Sequence, residues 1–86
     1  MCKRNLRIRI SKLTRREYNL VVDEANFSED QLRLFQELNK DRFYDFAIMT
    51  DLGMSPRRYY ETKAVVIDKT ERIARENGFL NNIIEQ

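Results

Sequence analysis

The sequence predicts an all-α, four-helix domain, and three observations lead there. Apolar residues recur at helical spacing in successive segments of the 86-residue chain. Two helix starts are written as capping boxes, each flanked by a pair of apolar residues. A third junction, Leu52-Gly53-Met54-Ser55-Pro56, stops one helix and starts another within a few residues.

The elements follow in order. Residues 1–12 read as a basic extended arm: Leu6-Arg7-Ile8-Arg9-Ile10 alternates like a strand, but no pairing partner is apparent. Thr14-Arg15-Arg16-Glu17 is the first capping box, with Leu13 and Tyr18 as its hydrophobic staple. The helix it opens has Tyr18, Val21, Val22 and Ala25 at i, i+3, i+4 and i+7, one buried stripe. Ser28-Glu29-Asp30-Gln31 repeats the device, stapled by Phe27 and Leu32, and its helix turns Leu32, Phe35 and Leu38 inward before an exit at Asn39-Lys40-Asp41. A third helix, from Asp41 or Arg42 to Asp51, offers Phe43, Ala47, Ile48 and Met49 to the core, with Phe46 on its flank.

At the junction each residue has a physical reason. Leu52 plugs the angle between two helices, and Gly53 takes the positive φ that ends a helix without a Cβ clash. Met54 enters the same core, and Ser55 caps the next helix by accepting an orphan backbone N–H. Pro56 suits the first helical position, where a missing N–H costs nothing. The fourth helix runs from Pro56 to about Glu76, stopped by Asn77-Gly78, with Tyr59, Thr62, Val66, Thr70 and Ile73 in one stripe edged by Ile67 and Ala74. Tyr59–Ile67 also has strand-like composition, but Asp68 and Glu71 each stand four residues before an arginine, which favours helix. Phe79, Leu80, Ile83 and Ile84 make an apolar tail that either folds back or meets a second subunit. The chain thus divides into an arm 1–12, a helical domain 13–78 and a tail 79–86.

Composition narrows the functions. A chain of this size builds no deep catalytic pocket easily. It has no histidine and a single cysteine, Cys2, which disfavours a structural zinc site and rules out an internal disulfide. No phosphate-cradling glycine-rich loop or activated nucleophile is present, so neither catalysis nor a cofactor is expected. The longest apolar runs, Phe46–Met49 and Ala64–Ile67, span four residues each, against roughly 20 for a membrane span. With no apolar leader after the basic start, a reducing cytoplasm is the expected compartment. The net charge of +2 hides a segregation: +7 over residues 1–16, −6 over 17–51 and +1 over 52–86. A basic arm beside a nearly neutral half fits phosphate binding by patches, or simply a solvated tail.

Residues 27–74 resemble the helix-turn-helix of sigma factor region 4 and of LuxR-type regulators. Phe27-Ser28, Gln31 and Phe35 stand where such domains open with Leu-Thr-x-x-Glu and a buried helix, and Ile48 with Leu52-Gly53-Met54-Ser55 stands where they read Ile-Ala and Leu-Gly-Ile-Ser. The run Leu52–Tyr60 with Lys63, and Ile73-Ala74 beyond, looks closest to small phage-type transcription regulators of the ArpU/RinA kind. Met49 replaces the small residue usual in the first helix, and Asn39–Arg42 lacks the glycine often found in that loop. The resemblance implies a helix-turn-helix formed by the third and fourth helices, sequence-specific duplex DNA binding and a role in transcription regulation.

On a helix starting at Pro56, the face opposite Tyr59 and Val66 contains Arg57, Tyr60, Glu61 and Ala64, the set that a recognition helix turns into the major groove. Arg57 suits guanine O6/N7 and Glu61 suits cytosine N4, while Ala64 leaves room for a thymine methyl. Tyr60 either meets sugar and phosphate or completes the core, and Arg57 and Glu61 are otherwise simply solvated. Candidate phosphate contacts are Ser55 at the helix N-terminus, Arg58, Lys69 and Arg72 along one flank, and Arg7 and Arg9 of the arm. One module this small gives limited affinity, which points to a homodimer or to RNA polymerase as a partner. The rival reading is a protein-interaction module that uses the acidic helices of residues 17–51 and the apolar tail.

Overall fold

A computed structural model describes residues 8–40 and 44–84 and is all-helical there. A 3₁₀ turn, Ile10–Lys12, precedes α1 (Arg15–Ala25), α2 (Glu29–Asn39), α3 (Asp45–Leu52), α4 (Pro56–Glu76) and the single-turn α5 (Leu80–Ile83). Among the described residues no β-strand forms.

Both capping boxes close as their sequences dictate. Thr14 Oγ1 accepts the Glu17 N–H at 3.1 Å while Glu17 Oε1 accepts the Thr14 N–H at 3.0 Å. Ser28 and Gln31 make the same reciprocal pair at 3.4 and 3.1 Å. Each box satisfies two backbone donors that a helix start otherwise orphans. α1 ends on Asn26 in the left-handed region (φ 53°), a conformation that asparagine tolerates better than most residues. α3 and α4 share a different stop. Met54 N–H returns to Met49 O at 3.0 Å and Phe79 N–H to Ala74 O at 2.9 Å, closing Schellman turns through Gly53 (φ 68°) and Gly78 (φ 81°).

α4 is the spine against which α1 and α2 pack. Its Tyr59, Val66, Thr70, Ile73 and Ala74 are buried, and Thr70 satisfies its hydroxyl on Val66 O at 2.8 Å. From the other side come Val21, Ala25, Leu34, Phe35, Ile48 and Met49. The Phe35 ring lies 5.1 Å from that of Tyr18 and 5.0 Å from that of Phe27, so aromatic rings from α1, the α1–α2 connection and α2 meet. Sequence spacing placed Leu32 and Leu38 in the core with Phe35. Both are only half-buried, and Leu34 takes the fully buried position beside Phe35 instead. Phe43 lies outside the described residues, and Phe46 is 78% exposed.

The first and last described segments meet. Ile8 and Ile84 form an isolated antiparallel bridge, Arg9 N–H donates to Ile83 O at 2.7 Å, and Asn39 Nδ2 donates to Ile10 O at 3.0 Å. Ile10, Leu13, Phe79 and Ile83 are all buried. The strand-like alternation around Ile8 and Ile10 therefore finds its partner in the C-terminal segment. The apolar tail folds back onto the core, and from Ile8 onward the presumed arm belongs to the packed body. The physical reason is the same on both sides: two short apolar segments that cover each other remove both from water.

Candidate nucleic-acid interface

α4 begins where the sequence predicts. Ser55 Oγ accepts the Arg58 N–H at 3.3 Å, and Pro56 occupies the first helical position. A turn at Gly53 separates α3 from α4; Tyr59 is buried with its hydroxyl on Asp45 of α3, and Val66 is buried further along the same stripe. With those residues inward, Arg57, Tyr60, Glu61 and Ala64 emerge exposed on the other side. The inward and outward sets are those that the helical spacing assigns.

The exposed set is only lightly engaged. Arg57 Nε bonds Glu61 Oε2 at 3.3 Å, with side chains 89% and 69% exposed. Such a solvated i,i+4 pair is worth about 0.3–0.5 kcal/mol, so exchanging it for a base or phosphate costs little. Tyr60 is half exposed, its ring edge-on to Tyr59 at 5.0 Å between centroids.

The five described candidate phosphate contacts (Ser55, Arg58, Lys69, Arg72 and Arg9) do not form one patch. Ser55 is exposed at the helix N-terminus, where its cap leaves backbone donors near solvent. Arg58 forms an ion pair with Asp30 in the first turn of α2. Lys69 Nζ donates to Gln31 Oε1 at 3.2 Å and stands 5.6 Å from the centre of the Phe27 ring. Arg72 lies 3.9 Å from Asp68. Lys69 and Arg72 line a groove of about 280 Å³ between α1 and α4 whose rim also carries Glu24 and Glu76. Fifteen residues of helix put Arg72 about 22 Å along the axis from Arg57. Arg9 is half-buried beside Ile83, and Arg7 lies outside the described residues.

One constellation was not singled out from the sequence. Asp45, in the first turn of α3, accepts the Tyr59 hydroxyl at 2.7 Å and Lys63 Nζ at 2.9 Å on Oδ1, with the Tyr60 hydroxyl 3.5 Å from Oδ2. Lys63 Nζ also stands 5.9 Å from the centre of the Tyr59 ring. Burial pushes the Asp45 carboxyl up, but the hydrogen bonds from Tyr59 and Lys63, the Lys63 charge and the Tyr60 hydroxyl outweigh it and hold it below the ordinary carboxylate value. A signal was there to read. Asp45, Ile48, Met49 and Leu52 stand at i, i+3, i+4 and i+7, which puts a carboxylate on the inner face of α3. Tyr59 and Lys63 are i,i+4 on the helix it must meet.

No described helix is long and apolar enough to cross a membrane. Comparison of the chain with protein-family models, with curated proteins and with solved structures returns no match.

Proposed function

We propose that the chain binds duplex DNA sequence-specifically and acts in transcription regulation, with α3 and α4 as a helix-turn-helix and α4 as its recognition helix. The observation that carries this reading is the outer face of the first turns of α4. Directly after a capped start, Arg57, Tyr60, Glu61 and Ala64 stand exposed together, with an arginine whose only shown partner is a solvated neighbour. That combination suits base edges in a major groove: a guanidinium for guanine, a carboxylate for the cytosine amine, and a small apolar residue beside them. The N-terminus of α4 and the neighbouring cations would fix register on phosphates. The likeness to sigma region 4, LuxR-type and phage-type regulators supports the same role, in the cytoplasm, with a homodimer or RNA polymerase supplying the affinity that one small module lacks.

The mechanism is binding alone. Cations displace counterions from the phosphate backbone, and the specific contacts then select among sequences. The alternative, a protein-interaction module without a DNA role, retains support from Tyr44 and Phe46, which are 77% and 78% exposed at the start of α3. Its original support from the apolar tail is weaker, because Phe79 and Ile83 are used in the core. Selection on a pool of random duplexes separates the two. DNA binding predicts an enriched site whose affinity falls steeply with salt. A pool that stays random, with no salt-dependent duplex binding, would move the protein-interaction reading to first place.

A further inference from the structure

Tyr59, Tyr60 and Lys63 leave α4 on neighbouring sides, and one carboxylate from another helix addresses all three. Asp45 Oδ1 takes the Tyr59 hydroxyl at 2.7 Å and Lys63 Nζ at 2.9 Å. Tyr59 is fully buried, so its ring is a fixed platform. Tyr60 sits edge-on against that platform at an interplanar angle of 80°, its hydroxyl toward Asp45 Oδ2. Lys63 is 30% exposed, close enough to the surface to reach solvent if released.

We propose that Asp45 is a positioning residue for the DNA-reading face of α4, withholding Lys63 from phosphates and, through Tyr59, setting the ring of Tyr60. This rests on the DNA-binding reading above and adds how that face discriminates. A free lysine beside the groove attracts every duplex alike, because a phosphate contact carries no sequence information. Held on Asp45, Lys63 adds nothing to that sequence-independent attraction. Specificity is a difference of affinities, so suppressing binding to the wrong duplexes raises it as surely as a new contact to the right one. Tyr60, seated against a buried ring, presents one orientation to the DNA instead of several.

The test compares wild type with three single variants and one double variant. Each is titrated with a duplex recovered by selection and with a random duplex, over a range of salt. Asp45→Asn keeps an acceptor for the Tyr59 hydroxyl but removes the charge that holds Lys63. It should tighten binding to random duplex and steepen the slope of log K against log salt by about 0.9, the value of one added phosphate contact. Asp45→Asn with Lys63→Gln should return the slope to that of wild type. Tyr59→Phe keeps the ring and the Asp45–Lys63 pair. It should leave the slope unchanged while the ratio of specific to random affinity falls about 2- to 10-fold, the factor that one hydrogen bond, here the Tyr59 hydroxyl on Asp45, is worth.

Lys63→Gln alone guards against an Asp45 variant that folds poorly. If Lys63 is withheld, the slope does not change; a slope flattened by about 0.9 would show that Lys63 already contacts phosphate and would overturn the proposal. Asp45→Asn and Tyr59→Phe that lose thermal stability while slope and ratio stay as in wild type would make Asp45 a structural clamp only, and also overturn it. A wild type that binds no duplex defeats the DNA-binding reading and this inference together. One that binds, with slope and ratio unmoved by the variants, defeats this inference alone.

Discussion

The two ends of α4 are built differently. Its first turns are held inward by a polar clamp: Tyr59 and Lys63 on Asp45 of the eight-residue α3. Its middle and last turns are held by apolar burial of Val66, Ile73 and Ala74 against the larger α1–α2 layer. The cations do not divide the same way. Among the described residues Arg57 meets a solvated glutamate of its own helix and Arg72 and Arg75 meet acids of that helix too, whereas Lys69 is tied to Gln31 and Phe27 of the α2 region. Arg58, close to Arg57 in sequence, already crosses to Asp30. Counting basic residues along the helix therefore overstates how many stand ready for an anionic partner, because what each cation already touches decides what it can give.

The largest way to break the comparison is to remove its inward anchor. Tyr59→Ala empties a fully buried ring site and removes one donor from the Asp45 carboxylate, and should cost about 3–5 kcal/mol in urea denaturation. A loss below about 1 kcal/mol would mean that the α3–α4 corner does not depend on the clamp.

Binding separates the two ends next. Arg57→Ala should cost about 1–3 kcal/mol at the selected site and relax preference at one base pair. Lys69→Ala, whose ammonium is engaged toward α2, should change DNA affinity by less than about 0.5 kcal/mol. Titration of both variants against the same duplex checks this, and equal losses would erase the distinction. Arg58→Ala provides an intermediate case. To reach phosphate its guanidinium must leave Asp30, so any loss should be uniform across sequences.

Where the ends agree, substitutions should agree too. Gly53→Ala and Gly78→Ala each place a Cβ at positive φ, with no neighbouring atom within 4 Å to add a clash. Each should cost about 1–2 kcal/mol by thermal or urea denaturation, the backbone term alone. Unequal costs would reveal a constraint at one turn beyond its φ.

The smallest effect is a pH dependence confined to the clamp. The Asp45 value is lowered in the folded protein, so its contribution is complete above the unfolded carboxylate value of about 3.9 and is lost as pH falls through the lower folded value. The stability difference between wild type and Asp45→Asn should therefore shrink as pH drops from 5 to 3. A difference that holds constant over that range would remove Asp45 ionisation from the account.

Local chemistry made much of this legible. The capping boxes at Thr14 and Ser28, the Gly53 turn, the Ser55-Pro56 start and the stripe from Tyr59 to Ile73 each follow from rules acting over four residues or fewer. What stayed hidden depends on distant partners. Nothing near Ile8 and Ile10 says that Ile83 and Ile84 will cover them, and nothing near Leu34 says that it, rather than Leu32, will face α4. Spacing puts Asp45 on the inner face of α3, but its partners Tyr59 and Lys63 stand on the next helix, beyond the reach of local rules. For the candidate site, spacing within α4 predicts which residues point outward. It does not reveal that Arg58 and Lys69 are engaged across to α2.

The central claim is that DNA meets the outer face of the first turns of α4. Amide chemical-shift mapping of isotope-labelled protein, titrated with a duplex from the selection, tests it most directly. The account predicts that the large shifts cluster at Ser55–Ala64 and the start of α3, with Lys69–Glu76 nearly unmoved. Shifts centred instead on the groove around Glu24, Lys69 and Arg72, with Arg57 and Tyr60 unchanged, would contradict it.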